Sequence, residues 1–167
     1  FNLLKAKLIG YTYPPREVKA LYDVTSIEGR YALSVSSHYN EFSDKPIILM
    51  EQLINEDANN PFFYELLAEI LFTRNDFNGA IDKQKLSLKH FQGESDLLYM
   101  LMGNYLKHDK KLRNEAIKYI KSSLRINNNN TYSWFLLADL YSEYDLPKAH
   151  YATAERYFLL GDYPMSY

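Results

Sequence analysis

From Asn60 to Phe91 (NPFFYELLAEILFTRNDFNGAIDKQKLSLKHF) apolar residues recur with the period of a helix, break off, and recur again. Tyr64, Leu67, Ala68 and Leu71 stand at i, i+3, i+4 and i+7, so they share one helical face. Asn60 is placed to cap this helix and Pro61 to open it, where a missing N–H leaves no bond unmade. Asn75-Asp76 interrupts the run. Asp76 can cap a second helix with Ala80, Ile81, Gln84, Ser87 and Leu88 on one face. Ala68, Ala80 and Ser87 are small enough for two antiparallel helices to approach closely, with Leu67, Leu71 and Leu88 filling the space around the crossing. One such hairpin cannot bury both its faces, which predicts neighbours of the same kind.

The pattern does recur. Leu98-x-x-Leu101-Met102-x-x-Tyr105 follows Tyr64-x-x-Leu67-Ala68-x-x-Leu71 at an offset of 34, and Trp134-x-x-Leu137-Ala138-x-x-Tyr141 follows at a further 36. The turn from His108 to Asn114 absorbs the two extra residues, and Ala116, Ile120 and Ser123 then take the roles of Ala80, Gln84 and Ser87. A helix–turn–helix unit of this length, with W-x-x-L-A/G-x-x-Y in its first helix and small residues in its second, resembles the tetratricopeptide repeat (TPR). The expected fold is all-α: a TPR-like right-handed solenoid of about four antiparallel hairpins, over residues 25–58, 61–92, 95–128 and 131–162. The first copy is degenerate. There Thr25-x-x-Glu28 reads as a capping box for a helix from Ile27 to Asn40, and Asp44 with Pro46 opens a second helix through Ile54. In the last copy the second helix, Pro147–Leu160, departs from the repeat but keeps Ala149, Ala152 and Ala154, and Gly161 ends it. Asp162-Tyr163-Pro164 reads as the start of a fifth unit, truncated.

Residues 1–24 do not match the repeat. Phe1–Gly10 has helical spacing with Gly10 as a stop, and Pro15 opens a short helix to Tyr22. This segment is expected to be a junction to a preceding domain or a capping helix, and both ends read as cut from a longer protein. The net charge of −2 makes no electrostatic case for nucleic acid. No apolar run reaches the roughly 20 residues a membrane helix needs. Cysteine is absent, which removes disulfides and thiolate metal sites and fits cytosol and periplasm alike.

No catalytic pattern emerges: H-E-x-x-H, G-x-S-x-G, G-x-x-x-x-G-K and C-x-x-C are all missing. His38, His90, His108 and His150 lie in different copies and are not expected to ligate a metal. Asp139 with Glu143 reads as a solvated acidic pair, Met100 with Met102 as gap-filling core, and Lys107–Arg113 as an exposed turn. No cofactor is expected in this chain. A stack of hairpins offers a surface instead, with first helices lining a groove. The residues expected to line it are Tyr31, Val35, Phe62, Glu65, Glu69, Tyr99, Tyr132, Phe135 and Asp139. Aromatics supply contact area there, and carboxylates would select basic or amide-rich segments of a protein or peptide partner. Exposed apolar surface at the ends makes a homo-oligomer a further expectation.

Four stretches together are similar to one TPR lineage: Ala6–Pro15 (AKLIGYTYPP), Asn60–Phe72 (NPFFYELLAEILF), the turn and helix Asn127–Asp139, and Ala149–Asp162 (AHYATAERYFLLGD). The most distinctive piece is Ala154–Asp162 (AERYFLLGD). They resemble the C-terminal repeat region of bacterial periplasmic zinc metalloproteases of the CAAX-protease type, the BepA-like proteins. The resemblance implies a periplasmic location and a role in recognising outer-membrane proteins, or their assembly machinery, for an attached protease domain on which the repeats can fold back. It places the zinc on an H-E-x-x-H helix of a separate N-terminal domain, so no catalytic residue carries over. The first repeat and the NNNN turn at 127–130 match weakly. The alternative is a stand-alone cytosolic TPR scaffold, adaptor or oligomerisation module.

Overall fold

The structure is a computed structural model describing residues 2–162, and all their regular secondary structure is helical. The start of a fifth repeat expected at Tyr163-Pro164 lies outside the described residues. The chain divides at Phe91/Gln92 into two compact units.

The first unit holds α1 (Asn2–Thr12), α2 (Pro15–Leu21), α3 (Ile27–Asn40), α4 (Lys45–Glu56), α5 (Pro61–Thr73) and α6 (Phe77–His90). Here α3 pairs with α4 and α5 with α6, and α4 packs on α5. Ala68, Ala80 and Ser87 are fully buried, as expected of residues at a close helix crossing. The expected caps form: Asn60 Oδ1 accepts from the Phe62 N–H at 3.2 Å and Asp76 Oδ1 from the Gly79 N–H at 2.9 Å. Between α5 and α6, Asn75 takes a left-handed φ of 64°, a conformation asparagine tolerates better than most residues.

Two expectations here need correction. The cap of α3 is Ser26, whose Oγ accepts from the Gly29 N–H at 3.0 Å. Thr25 instead bonds Asp23 Oδ1 through both its N–H and its hydroxyl, in a turn that precedes the helix. Gly10 does not end α1, which runs on to Thr12. It lies buried in the helix because a Cβ there would stand 2.6 Å from both Val35 Cβ and the Ala32 carbonyl oxygen. Residues 2–24 therefore belong to the body of the first unit. The core there joins Ala6 and Val18 to Tyr31, Ala32, Val35, Met50, Phe63 and Leu67.

The second unit holds α7 (Asp96–Leu106), α8 (Arg113–Ile126), α9 (Thr131–Tyr141) and α10 (Leu146–Leu159), with a 3-10 turn at Lys110–Leu112. Here α7 pairs with α8, α8 packs on α9, and α9 pairs with α10. Asn130 caps α9 through the Ser133 N–H at 3.0 Å, and Gly161 ends the last hairpin at φ 76°. The register of the third repeat shifts by one from that expected. The small residue at its crossing is Gly103, not Met102: a Cβ on Gly103 would lie 2.4 Å from Ile120 Cδ1 and 3.1 Å from the Ala116 carbonyl oxygen. Tyr99-x-x-Met102-Gly103-x-x-Leu106 is thus the true copy, at offsets of 35 from Tyr64 and 35 to Trp134. Tyr64 and Trp134 confirm their own equivalence. Each donates to the carbonyl six residues earlier, Tyr64 OH to Ala58 at 3.0 Å and Trp134 Nε1 to Asn128 at 2.8 Å.

Candidate functional site

The corrected register aligns the residues that point away from each hairpin's own crossing. Phe62, Leu97 and Tyr132 are equivalent, as are Glu65, Met100 and Phe135, and Glu69, Asn104 and Asp139. Within each unit these positions meet a different environment.

In the first unit the face is occupied by α1, which packs along α3. Ala6 is buried and Gly10 sits flush on Ala32 and Val35. That contact is why Tyr31 and Val35, expected in an open groove, are core residues instead. The Tyr31 ring lies tilted against that of Phe63, 6.0 Å between centroids. Glu65 is likewise buried, not presented to solvent. Lys7 reaches across from α1 and donates to both Glu65 oxygens at 2.9 and 3.0 Å and to Glu69 Oε2 at 3.3 Å. Tyr11 donates to Glu69 Oε1 at 3.0 Å, and Tyr39 donates to the same oxygen. Phe62 alone among the expected groove residues of this unit stays exposed, edge-on to Phe91 at 6.3 Å.

The electrostatics of this cluster follow from one cation shared by two carboxylates. Burial pushes the Glu65 carboxyl up, and the attraction of Lys7 does not fully offset it. Burial acts on Glu69 in the same sense, but Lys7 and the hydroxyls of Tyr39 and Tyr11 outweigh it and hold its pKa below the ordinary range. Burial alone would lower the Lys7 ammonium, yet Glu65 and Glu69 together raise it. All three groups are thus committed to one another.

In the second unit no helix of the described residues takes the place of α1. Tyr132 and Phe135 remain 46% and 39% exposed and stack at 5.7 Å between ring centroids. The Arg156 guanidinium lies 5.1 Å from the centre of the Phe135 ring. Leu97, at the equivalent place on α7, is also exposed. Only the register fixed by Gly103 brings it into this set, so the sequence pattern missed it. Tyr99 leaves the set: its ring faces α8, 6.0 Å from Tyr119. Asp139 is on the face but is paired with Lys107 at 2.7 Å. Glu143 binds Lys110 at 3.1 Å and also Arg113, so the basic turn 107–113 neutralises the acidic pair expected to be solvated.

Among the described residues no group of three or more His, Asp or Glu side chains could hold a metal ion, and no helix is long and apolar enough to cross a membrane. His38 rests against Thr73 Oγ1 at 3.3 Å, where burial lowers its pKa.

No family model matches the chain, and no curated protein matches it in sequence. Among solved structures it is similar to TPR-repeat proteins. MamA of MSR-1 superposes with a TM-score of 0.74 at 16% identity, covering 96% of this chain and 92% of that one. MamA of AMB-1 gives 0.72 at 15% identity, covering 96% and 88%. PilF of Pseudomonas aeruginosa gives 0.67 at 14% identity, covering 99% and 87%. At these identities the likeness is one of fold: an all-helical, TPR-like arrangement.

Proposed function

We propose that this TPR-like chain is a non-catalytic protein-interaction module that takes its partner on the first-helix face of the second unit. The observation that carries the reading is the stacked, exposed pair Tyr132–Phe135 with Arg156 against it. Rigid aromatics beside a guanidinium are the side chains that most often dominate protein interfaces. Asp139 and Lys107 flank them as a polar rim, and the likeness in fold to TPR proteins supports the same reading. The test is photo-crosslinking from position 135 of the full chain in extract of the source cell. Discrete protein adducts are expected, lost with Tyr132→Ala and not formed from position 118 on α8. The same adducts from both positions would contradict the assignment.

We propose further that the module is the substrate- or partner-recognition part of a larger periplasmic zinc metalloprotease acting in outer-membrane protein quality control. Its partners are then outer-membrane proteins or their assembly machinery and its own protease domain, which carries the zinc. This reading rests on the sequence stretches Ala6–Pro15, Asn60–Phe72, Asn127–Asp139 and Ala149–Asp162; the likeness to MamA and PilF does not speak for a protease. A signal peptide and an H-E-x-x-H helix encoded upstream of Phe1 are expected. An initiator Met directly before Phe1 would favour the stand-alone cytosolic scaffold. Sedimentation of the chain measures whether it also self-associates.

A further inference from the structure

The helix α1 is not shaped like an outer cap. Its outer side is not wholly polar: Ala6 and Gly10 face inward, while Leu4 and Leu8, next to the exposed Lys5, are 62% and 59% exposed. Leucines left in solvent opposite a packed inner side suit a helix to contact on more than one side. Its inner side is a small-x-x-x-small pattern, Ala6 to Gly10, pressed against α3, and its polar anchor Lys7 ends between Glu65 and Glu69 of α5, 58 and 62 residues away in sequence. Tyr13-Pro14-Pro15 joins it to the rest of the unit, and α1 makes little contact with α2. So α1 lies where the recognition face of a hairpin pair lies, and is held there by the kind of contact a bound helix would make.

We propose that α1 is a self-ligand: it occupies the first unit's recognition face in cis, and that face is a receptor for a helix presenting a lysine between two small residues, as Ala6-Lys7-Leu8-Ile9-Gly10 does. With α1 lifted away, Glu65 and Glu69 stand one helical turn apart on α5 with the Tyr39 hydroxyl beside them and without the Lys7 ammonium. Two neighbouring carboxylates in a largely buried site strongly favour a bound ammonium or guanidinium. The flat floor made by Ala32 and Val35 admits only a helix with a small residue at the point of closest approach. A partner helix of that chemistry competes with α1 for the same carboxylates. This inference deepens the interaction-module reading, since it takes first-helix faces to be recognition faces, but it concerns a face other than that of Tyr132 and Phe135.

The probe is a labelled peptide of residues 2–14, offered to the full chain and followed by fluorescence anisotropy. Gly10→Leu drives the resident helix off by collision with Val35 and Ala32, so that variant is expected to bind the peptide at least tenfold more tightly than wild type. A peptide with Lys7→Met, or the chain Gly10→Leu carrying Glu65→Gln and Glu69→Gln, is expected to lose at least tenfold. A folded Gly10→Leu chain that ignores the peptide, or binds the Lys7→Met peptide equally well, would overturn the proposal. If Gly10→Leu does not fold, amide exchange on the wild-type chain decides: α1 should exchange at least tenfold faster than α3 and α5, and equal protection would refute a detachable helix. Because the probe is the chain's own segment, failure here leaves the Tyr132–Phe135 face standing, and loss of adducts at position 135 leaves this proposal standing.

Discussion

The two units place the same repeat position in opposite surroundings. In the first, Glu65 and Glu69 are covered by α1 and locked to Lys7; in the second, the equivalent Phe135 and Asp139 meet solvent, one as a stacked ring and the other as a surface ion pair. The hairpins differ little in how they cross, through Ala68 against α6 and Gly103 against α8. What differs is whether something lies on the far side. A repeat scaffold fixes the backbone of its binding face, and the residues at three or four positions then decide whether that face is core, self-contact or docking surface.

The largest effect is expected from Lys7→Met. It leaves two carboxylates facing each other in a largely buried site, and removing one partner of a buried ion pair costs about 3 kcal/mol. Urea unfolding should show the loss, and amide exchange should confine it to α1, α3 and α5. Ala68→Leu overpacks the α5–α6 crossing and should lower stability by ~1–3 kcal/mol, with the unfolding midpoint as the readout. Glu65→Gln sharpens the contrast through pH. The folded pKa of Glu65 is raised, so ionising it opposes folding, and that penalty grows as pH rises past the ordinary carboxylate range. Glu65→Gln should therefore be no less stable than wild type at pH 7, and its advantage should shrink as pH falls. Glu69, with a lowered folded pKa, contributes stability above the ordinary carboxylate range that is lost on acidification, so Glu69→Gln should behave in the opposite sense. The smallest effect belongs to Lys107→Met in the second unit. Its partner Asp139 is half exposed, and a pair of that kind contributes about 0.5 kcal/mol.

Much of the scaffold was legible. The caps Asn60, Asp76 and Asn130 and the small residues Ala68, Ala80 and Ser87 act locally, through hydrogen bonds and crossings that a few neighbouring residues determine. The register of the third repeat was not legible from apolar spacing. In α7, DLLYMLMGNYL is apolar on nearly every side, so a one-residue shift preserves the pattern, and only the contact of Gly103 with Ile120 settles it. That ambiguity placed Tyr99 on the wrong face and hid Leu97. The first unit misled for another reason. The spacing of Tyr31, Val35 and Glu65 says which way they point within their hairpins, but a helix from outside the repeat covers them. Lys7 was the available signal: it lies between Ala6 and Leu8 on the inward side of the helix, where a cation requires a buried anion, and Glu65 and Glu69 were already singled out on the face it meets.

Hydroxyl-radical footprinting of the intact chain tests most directly whether one face is closed and the other open. Tyr132 and Phe135 should oxidise at rates approaching that of the fully exposed Phe42, while Tyr31 and Phe63 remain protected. Tyr31 reacting as fast as Tyr132, or Tyr132 and Phe135 protected as well as Phe63, would contradict it.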